Sequence, residues 1–419
     1  MNAPIATGVP AFLARFEGLR TRLPGDPAPR LAAAEVLRTL GLPGRRNEAW
    51  HYTNLRPIED AAFSEPLTAL RDSGMLLARV PHIGTRLVFV DGRFRVDLSD
   101  TPPAIFRPFA MHARFGDLAQ PAREPLVALN TMLAEDGAII TLPNDADGGT
   151  ITLVSLATEA PGRTTAFHPR HQIRVAAGAR LTLVEVALGT GTYLHNPVTE
   201  IAVEDGATLT HVRLQDESPS AYHLATLYSS VAASGTYDSF TLTLGGRLSR
   251  TEIHATLTGA GAIAHLNAAQ ILTGIQHADF TSVVRHAAPN GTSRQTVKNV
   301  LAGSSRGVFQ GRIEVARDAQ KTDGYQMNQA LLLSPDAEVN SKPELEIFAD
   351  DVKCSHGATV GELDAEQLFY LRSRGVPASE ARAILVRAFL SEAIEAVAHD
   401  DARAMLERAV SDWWEQHPA

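Results

Sequence analysis

The sequence predicts a mainly β protein: a right-handed parallel β-helix, or solenoid, flanked by α-helical regions at both ends. Three observations carry this prediction. Between about residues 138 and 360, short Thr/Val/Ile/Leu runs are punctuated by Gly, Asp and Asn. Within that region a unit repeats, HQIRVAAGARLTLVEV at 171–186 aligning with TEIAVEDGATLTHVRL at 199–214 at a shift of 28 residues. Ile173 matches Ile201, Val175 matches Val203, Gly178 matches Gly206, Leu181 matches Leu209 and Val184 matches Val212. On either side of this region apolar residues recur at helical spacing instead. A strand–turn–strand unit that covers its apolar face only against its neighbours follows the logic of a solenoid. The leucine-rich template LxxLxLxxN does not fit, and a β-sandwich is the fallback, since many short strands also suit that class.

The chain divides into residues 1–137, 138–360 and 361–419. In the first region Phe12, Phe16, Leu19 and Leu23 form one helical stripe, ended by PGDPAP at 24–29. Ala33, Leu37 and Leu40 form a second, closed by Gly41 and Pro43. Trp50, Tyr52 and Leu55 read as packing residues that pin the next segment to a core. Residues 87–96 read as a hairpin, with Asp91–Gly92 suiting a type I′ turn between alternating apolar runs. Leu126, Leu129, Met132 and Leu133 mark a further helix within 121–136. In the central region, fainter repeat units fall at 235–244, 245–253 and 261–271.

In the last region Asp364 is a good N-cap, with Gln367 at the third helical position. That helix runs to Arg374, and Gly375 and Pro377 end it. Ala381, Leu385 and Ala388 mark one stripe on the next helix, while Leu390, Ile394 and Val397 mark another. A helix apolar on two sides is sandwiched in its own domain or offers one side to a partner.

Composition excludes several classes. Of 419 residues 44% are hydrophobic and 20% charged, as in a soluble globular protein. The net charge of −9 argues against nucleic acid as a main partner, because phosphate binding needs a basic surface. Residues 361–419 carry 6 basic and 11 acidic side chains, a net of −5, so a partner there should be basic or neutral. A single cysteine excludes an internal disulfide framework and a zinc ribbon. No run of about 20 apolar residues spans a membrane, no basic run suggests a membrane surface, and the opening segment does not read as a signal peptide. The expected location is cytoplasmic.

Motifs for self-contained catalysis are missing. There is no GxxxxGK[ST], so no P-loop, no HExxH, and no GxGxxG after a strand. Gly303-Ser304-Ser305-Arg306-Gly307 matches the GxSxG elbow of α/β-hydrolases, but the following VFQGRIEV reads as strand and turn, where the elbow needs a helix. The histidines are scattered. His168 and His171 are separated by Pro169, and His211 alternates with Val212, which places it on a polar strand face.

One constellation remains, in Lys321–Val360. Cys354, the only cysteine, lies two residues before His356. On a strand both project from one face, and a thiol with an imidazole is a pair of metal ligands. An iron–sulfur cluster needs about four ligands. The chain alone offers two there, so a cluster would have to be shared across an interface. A buried cysteine beside a hydrogen-bonded histidine is the plainer reading of that spacing.

The same stretch resembles the SufB/SufD family. Pro335, Asn340, Lys342, Glu344, Leu345 and Glu346 carry the likeness, with the run Asp350 to Thr359 and the continuation Glu366 to Leu371 and Ser373 to Gly375. Asn47 to Leu55 is similar to that family's amino-terminal motif, with His51 where Lys is more common. The resemblance implies a parallel β-helix with helical ends, and the lone cysteine looks like the SufD branch. It implies pairing with SufB through the end of the β-helix, Cys354 and His356 facing a SufB cysteine, and docking of the ATPase SufC on the carboxy-terminal helices. Leu368, Phe369, Leu371, Leu385, Phe389 and Ile394 are the docking candidates. In the implied cycle ATP draws two SufC subunits together, which twists the pair and uncovers the buried ligands. A transient iron–sulfur cluster would form in that complex, with no cofactor tightly bound by the isolated chain, for which a homodimer stays open. Two rivals stay open: a β-helix carbohydrate-active enzyme, for which the adjacent Asp350 and Asp351 are poorly placed on a strand, and a purely structural subunit without cluster ligands.

Overall fold

A computed structural model describes residues 6–66 and 73–417; residues 1–5 of the opening segment lie outside it. The centre is a β-solenoid of about eight turns. Successive strands alternate between two sheets, so that each pairs with the strand after next. Sheet A runs from Phe106–Pro108 to Glu338–Ile347, and sheet B from Arg93–Phe94 to Lys353–Gly361. The repeat read from sequence is the stacking rule. Ile173 pairs with Ile201 and Val175 with Val203 in sheet A, and Leu181 with Leu209 and Val184 with Val212 in sheet B. Gly178 and Gly206 occupy equivalent corners, both in the left-handed region (φ 69° and 64°), where a side chain is disfavoured. The three fainter units are single strands, Thr236–Thr243, Leu248–Leu257 and Ile263–Leu272, rather than strand pairs.

The solenoid's interior is one apolar column, from Leu87, Phe89 and Phe106 through Ile173, Ile201 and Ile253 to Phe280 and Phe309. Its outer faces are covered as well. Helices Gly8–Leu19, Pro27–Leu40 and Pro125–Leu133 bury Phe12, Phe16, Leu37 and Met132 against Ala166, Leu194, Leu224 and Leu248. Helices Ala378–Ile394 and Asp400–Gln416 cover sheet B, where Leu390, Ile394, Leu406 and Trp413 meet Val184, Val212 and Val300. The last region is therefore fused to the β-helix through a common core.

Local predictions met different fates. PGDPAP does not merely end a helix: Pro27 opens the second one, where its missing N–H costs nothing, and Asp26 caps it. Leu40 is exposed, not part of the stripe, because the helix ends at that residue. Asp91 and Gly92 both have positive φ, as a type I′ turn requires, although the second hairpin strand is only Arg93–Phe94. Asp364 accepts hydrogen bonds from Glu366 and Gln367 N–H, and the helix it caps spans Ala365–Ser373. A strand, Arg306–Val315, follows the GxSxG match, so no elbow forms.

Candidate functional site

The two ends of the solenoid differ, and the candidate site lies at the second. Among the described residues the only antiparallel pairs lie at the first end, Phe89 with Phe94 in sheet B and Phe106 with Ile140 in sheet A. At the far end Glu338–Ile347 and Lys353–Gly361 are the last strands of their sheets, each paired on one side only. Neither strand contains a buried residue.

Cys354 and His356 lie on this terminal strand, opposite Gly324 and Gln326 of the preceding turn. Their spacing of two puts them on one face. Cys354 is half-buried and closes the apolar cluster of Ile313, Val315, Ala319 and Ala349, whereas His356 is exposed. A Cβ at Gly324 would sit 3.4 Å from Sγ, an ordinary contact, and 3.2 Å from Ile313 Cδ1. Burial pushes the Cys354 thiol up from its ordinary value, helped by Asp323 and opposed by a backbone hydrogen bond at Gly324. An open depression of about 500 Å³ beside them is lined by Arg294, Asp323, Tyr325, Lys353, Cys354 and Ser355.

The segment Asn47 to Leu55 reaches the same end. Glu48 accepts a 2.7 Å salt bridge from Lys342 of the terminal sheet-A strand, and Ala49 C=O accepts from Gln310 at 3.2 Å. Trp50 is buried under the Arg250 guanidinium, 4.0 Å from its ring centroid. The packing role read for Trp50 and Leu55 is what the fold gives them, and Tyr52 is half-buried.

The docking candidates separate. Helix Ala365–Ser373 has no buried residue; Phe369 is 74% exposed, and Leu368 and Leu371 are half-buried. Leu385 is half-buried too. Ile394, at 2% exposure, belongs to the core shared with sheet B, and so cannot meet a partner in this arrangement. Phe389 packs partly on that core with the Lys298 ammonium 4.4 Å from its ring centroid. The stripe of Leu390, Ile394 and Val397 is thus spent internally.

Sequence reasoning missed a polar cluster inside the solenoid. His211 is wholly buried, not on a polar outer face, with Tyr237 Oη at 3.0 Å and Glu185 at 3.3 Å. The outer face of its strand is covered by helices, so the alternation marks no solvent side. Nearby, His195 Nδ1 lies 3.0 Å from Glu217 Oε1 and His223 Nδ1 lies 2.6 Å from Glu217 Oε2. All three are buried. Burial alone would raise the Glu217 carboxyl, but His223 and His195 beside it hold it well below the usual carboxylate range. Burial lowers His195, against the pull of Glu217. The signal was present: His195 pairs with His223 across adjacent turns, at the same 28-residue step as the repeat.

The chain matches the family model for the SUF system FeS cluster assembly SufBD core domain over residues 156–389. It is 33% identical to the iron–sulfur cluster assembly protein SufD of Escherichia coli over 368 residues, covering 87% of each chain. It is 31% identical to an iron–sulfur cluster assembly SufBD family protein of Synechocystis over 408 residues, covering 91% of this chain and 90% of that one.

Proposed function

Because the chain belongs to the SufBD family of SUF-system iron–sulfur cluster assembly proteins, we propose that it is that system's SufD-like, non-catalytic scaffold subunit. It pairs with SufB through the uncovered end of the solenoid, and it docks the ATPase SufC on helix Ala365–Ser373 and the adjacent Leu385. The observation that carries this reading is the pair of half-paired terminal strands with Cys354 and His356 at their mouth. A sheet that stops without a cap offers a row of free N–H and C=O groups to another chain. The terminal strand of sheet A contains Pro343, which removes one donor, so Lys353–Gly361 is the better template for strand addition.

Cys354 and His356 supply two ligands toward a cluster that is the complex's product, and the partner supplies the rest. The exposed helix supports the second contact, since nine residues are marginally stable in water without a surface to pack on. The test is co-expression with SufB and SufC, purification on a SufC tag, and an assay of iron and acid-labile sulfide. Cys354→Ala with His356→Ala is expected to leave the complex intact and to lower cluster yield at least tenfold. An unchanged yield in an intact complex would instead support a purely structural subunit.

A further inference from the structure

We propose that His195, Glu217 and His223 form a binding site for one divalent first-row transition-metal ion within the solenoid, distinct from Cys354 and His356. The site is built by the fold and does not depend on a flexible loop. His195 ends the short strand Tyr193–His195, and His223 lies in Tyr222–Val231, one turn on and directly in register. Glu217 follows strand Thr208–Asp216 and reaches between them. Their donor atoms all lie within 4.8 Å of one another.

The spacing fits an ion. Tetrahedral bonds of about 2.0–2.1 Å put neighbouring donors roughly 3.3 Å apart. The nitrogen–oxygen distances of 3.0 and 2.6 Å, made to the two oxygens of Glu217, would open by about 0.3 and 0.7 Å to admit one. The ion would then take the place of the His195–Glu217 hydrogen bond, and each neutral imidazole would keep its proton on Nε2. His223 Nδ1, a donor that would face the ion, is buried and makes no hydrogen bond among the described residues, an unusual cost for a residue held only as packing. Around the donors is a second layer of support: Gln215 Nε2 donates to Glu217 Oε2 at 3.0 Å, and the His195 ring lies 4.6 Å from that of Phe167.

Space is also present. His195 and His223 line an internal cavity of about 40 Å³, enough for a water or exogenous ligand at the fourth position. Glu217 also lines a groove of about 1290 Å³ between sheet B and helix Asp400–Gln416. Two imidazoles with one carboxylate suit Zn²⁺, Co²⁺ or Fe²⁺, whereas Mg²⁺ and Ca²⁺ prefer oxygen donors alone.

The test uses the full chain carrying Cys354→Ser and His356→Ala, stripped with chelator and titrated with Co²⁺ and then Zn²⁺. One equivalent of Co²⁺ with the absorption bands of a low-coordinate nitrogen–oxygen site is expected, displaced by Zn²⁺. Glu217→Gln and His223→Gln should each weaken binding at least 100-fold. As a readout that needs no variant at the site, Zn²⁺ but not Ca²⁺ should raise the thermal midpoint of this same chain. Absence of both the Co²⁺ spectrum and the zinc-specific shift would overturn the site, as would undiminished affinity in folded Glu217→Gln and His223→Gln. Since Cys354 and His356 are already removed, failure here leaves their proposed role untouched.

Discussion

The two ends of the solenoid are built from the same strands yet finished in opposite ways. At the first end the chain reverses: Arg93–Phe94 turns back on Thr85–Val90, and Phe106–Pro108 runs antiparallel to Ala138–Leu142. Phe94 fills the opening, its ring 5.4 Å from Phe89 and 4.9 Å from Phe106. Asp136 fixes this cap by accepting from Phe94, Ala110 and Gly137 N–H at 2.8–3.0 Å. At the far end no strand reverses, no aromatic plug is present among the described residues, and Phe348 and Val360 are exposed. An open sheet edge invites uncontrolled pairing, and proteins normally blunt it. The first end is closed by the chain's own reversals and aromatic rings, and the second keeps its last strands unpaired on one side, which is where the proposed pairing puts the partner.

The comparison can be broken first at the closed end. Phe89→Ala removes a fully buried ring from the cap and should cost about 3–5 kcal/mol in urea unfolding. Cys354→Ala at the open end, where the side chain is half-buried, should cost less than about 1 kcal/mol in the isolated chain. Comparable losses at both ends would mean that the far end is a finished part of the core. Next, Val360→Lys places a charge on the exposed terminal strand. It should leave the isolated chain within about 0.5 kcal/mol of wild type and weaken pulldown of SufB at least tenfold.

Between the ends, the buried polar groups set the response to acid. Burial drops His286 from 6.5 to about 4. In the unfolded chain it takes up a proton near 6.5, so the unfolded state binds more protons between those values. Stability from this group is full above pH 6.5 and is lost as pH falls toward 4, by up to about 1.4 kcal/mol per unit. His286→Gln should flatten the slope of unfolding free energy over that window, and an unchanged slope would assign it to other groups. The smallest effect belongs to the exposed helix: Asp364→Ala removes its N-cap and should cost about 1 kcal/mol locally, read as faster amide exchange over 365–373.

Much of this architecture was legible in the sequence. The 28-residue step between 171–186 and 199–214 is the pairing register itself. Later turns faded because the register drifts: Tyr222 pairs with Leu248, and Arg306 with Glu338. The corners also change residue type. Gly178, Gly206 and Gly261 give way to Ser234, Asn290 and Lys321 in the same left-handed conformation, so a search for glycine loses the corner. Each still donates its N–H to the next turn, as Gly206 does to Ala233 and Lys321 to Asp351.

The site was legible in part. A strand of period 2 correctly placed Cys354 beside His356 on one face. Which faces are covered could not be read locally: Ile394 sits in a core formed with strands far away in sequence, and His211 lies inside a solenoid whose outer surface is also covered. The pairing of His195 with His223 needed the repeat to be carried through one more residue pair than the apolar matches required.

Because Cys354 is the only cysteine, its alkylation reports on the open end alone. The most direct test is the rate of maleimide labelling, compared between the chain at a concentration where it sediments as a monomer and the same chain in its purified complex with SufB and SufC. A slowing of at least tenfold in the complex is expected if the partner continues the sheets across this end. Equal rates in a verified complex would contradict it and place the partner elsewhere on the molecule.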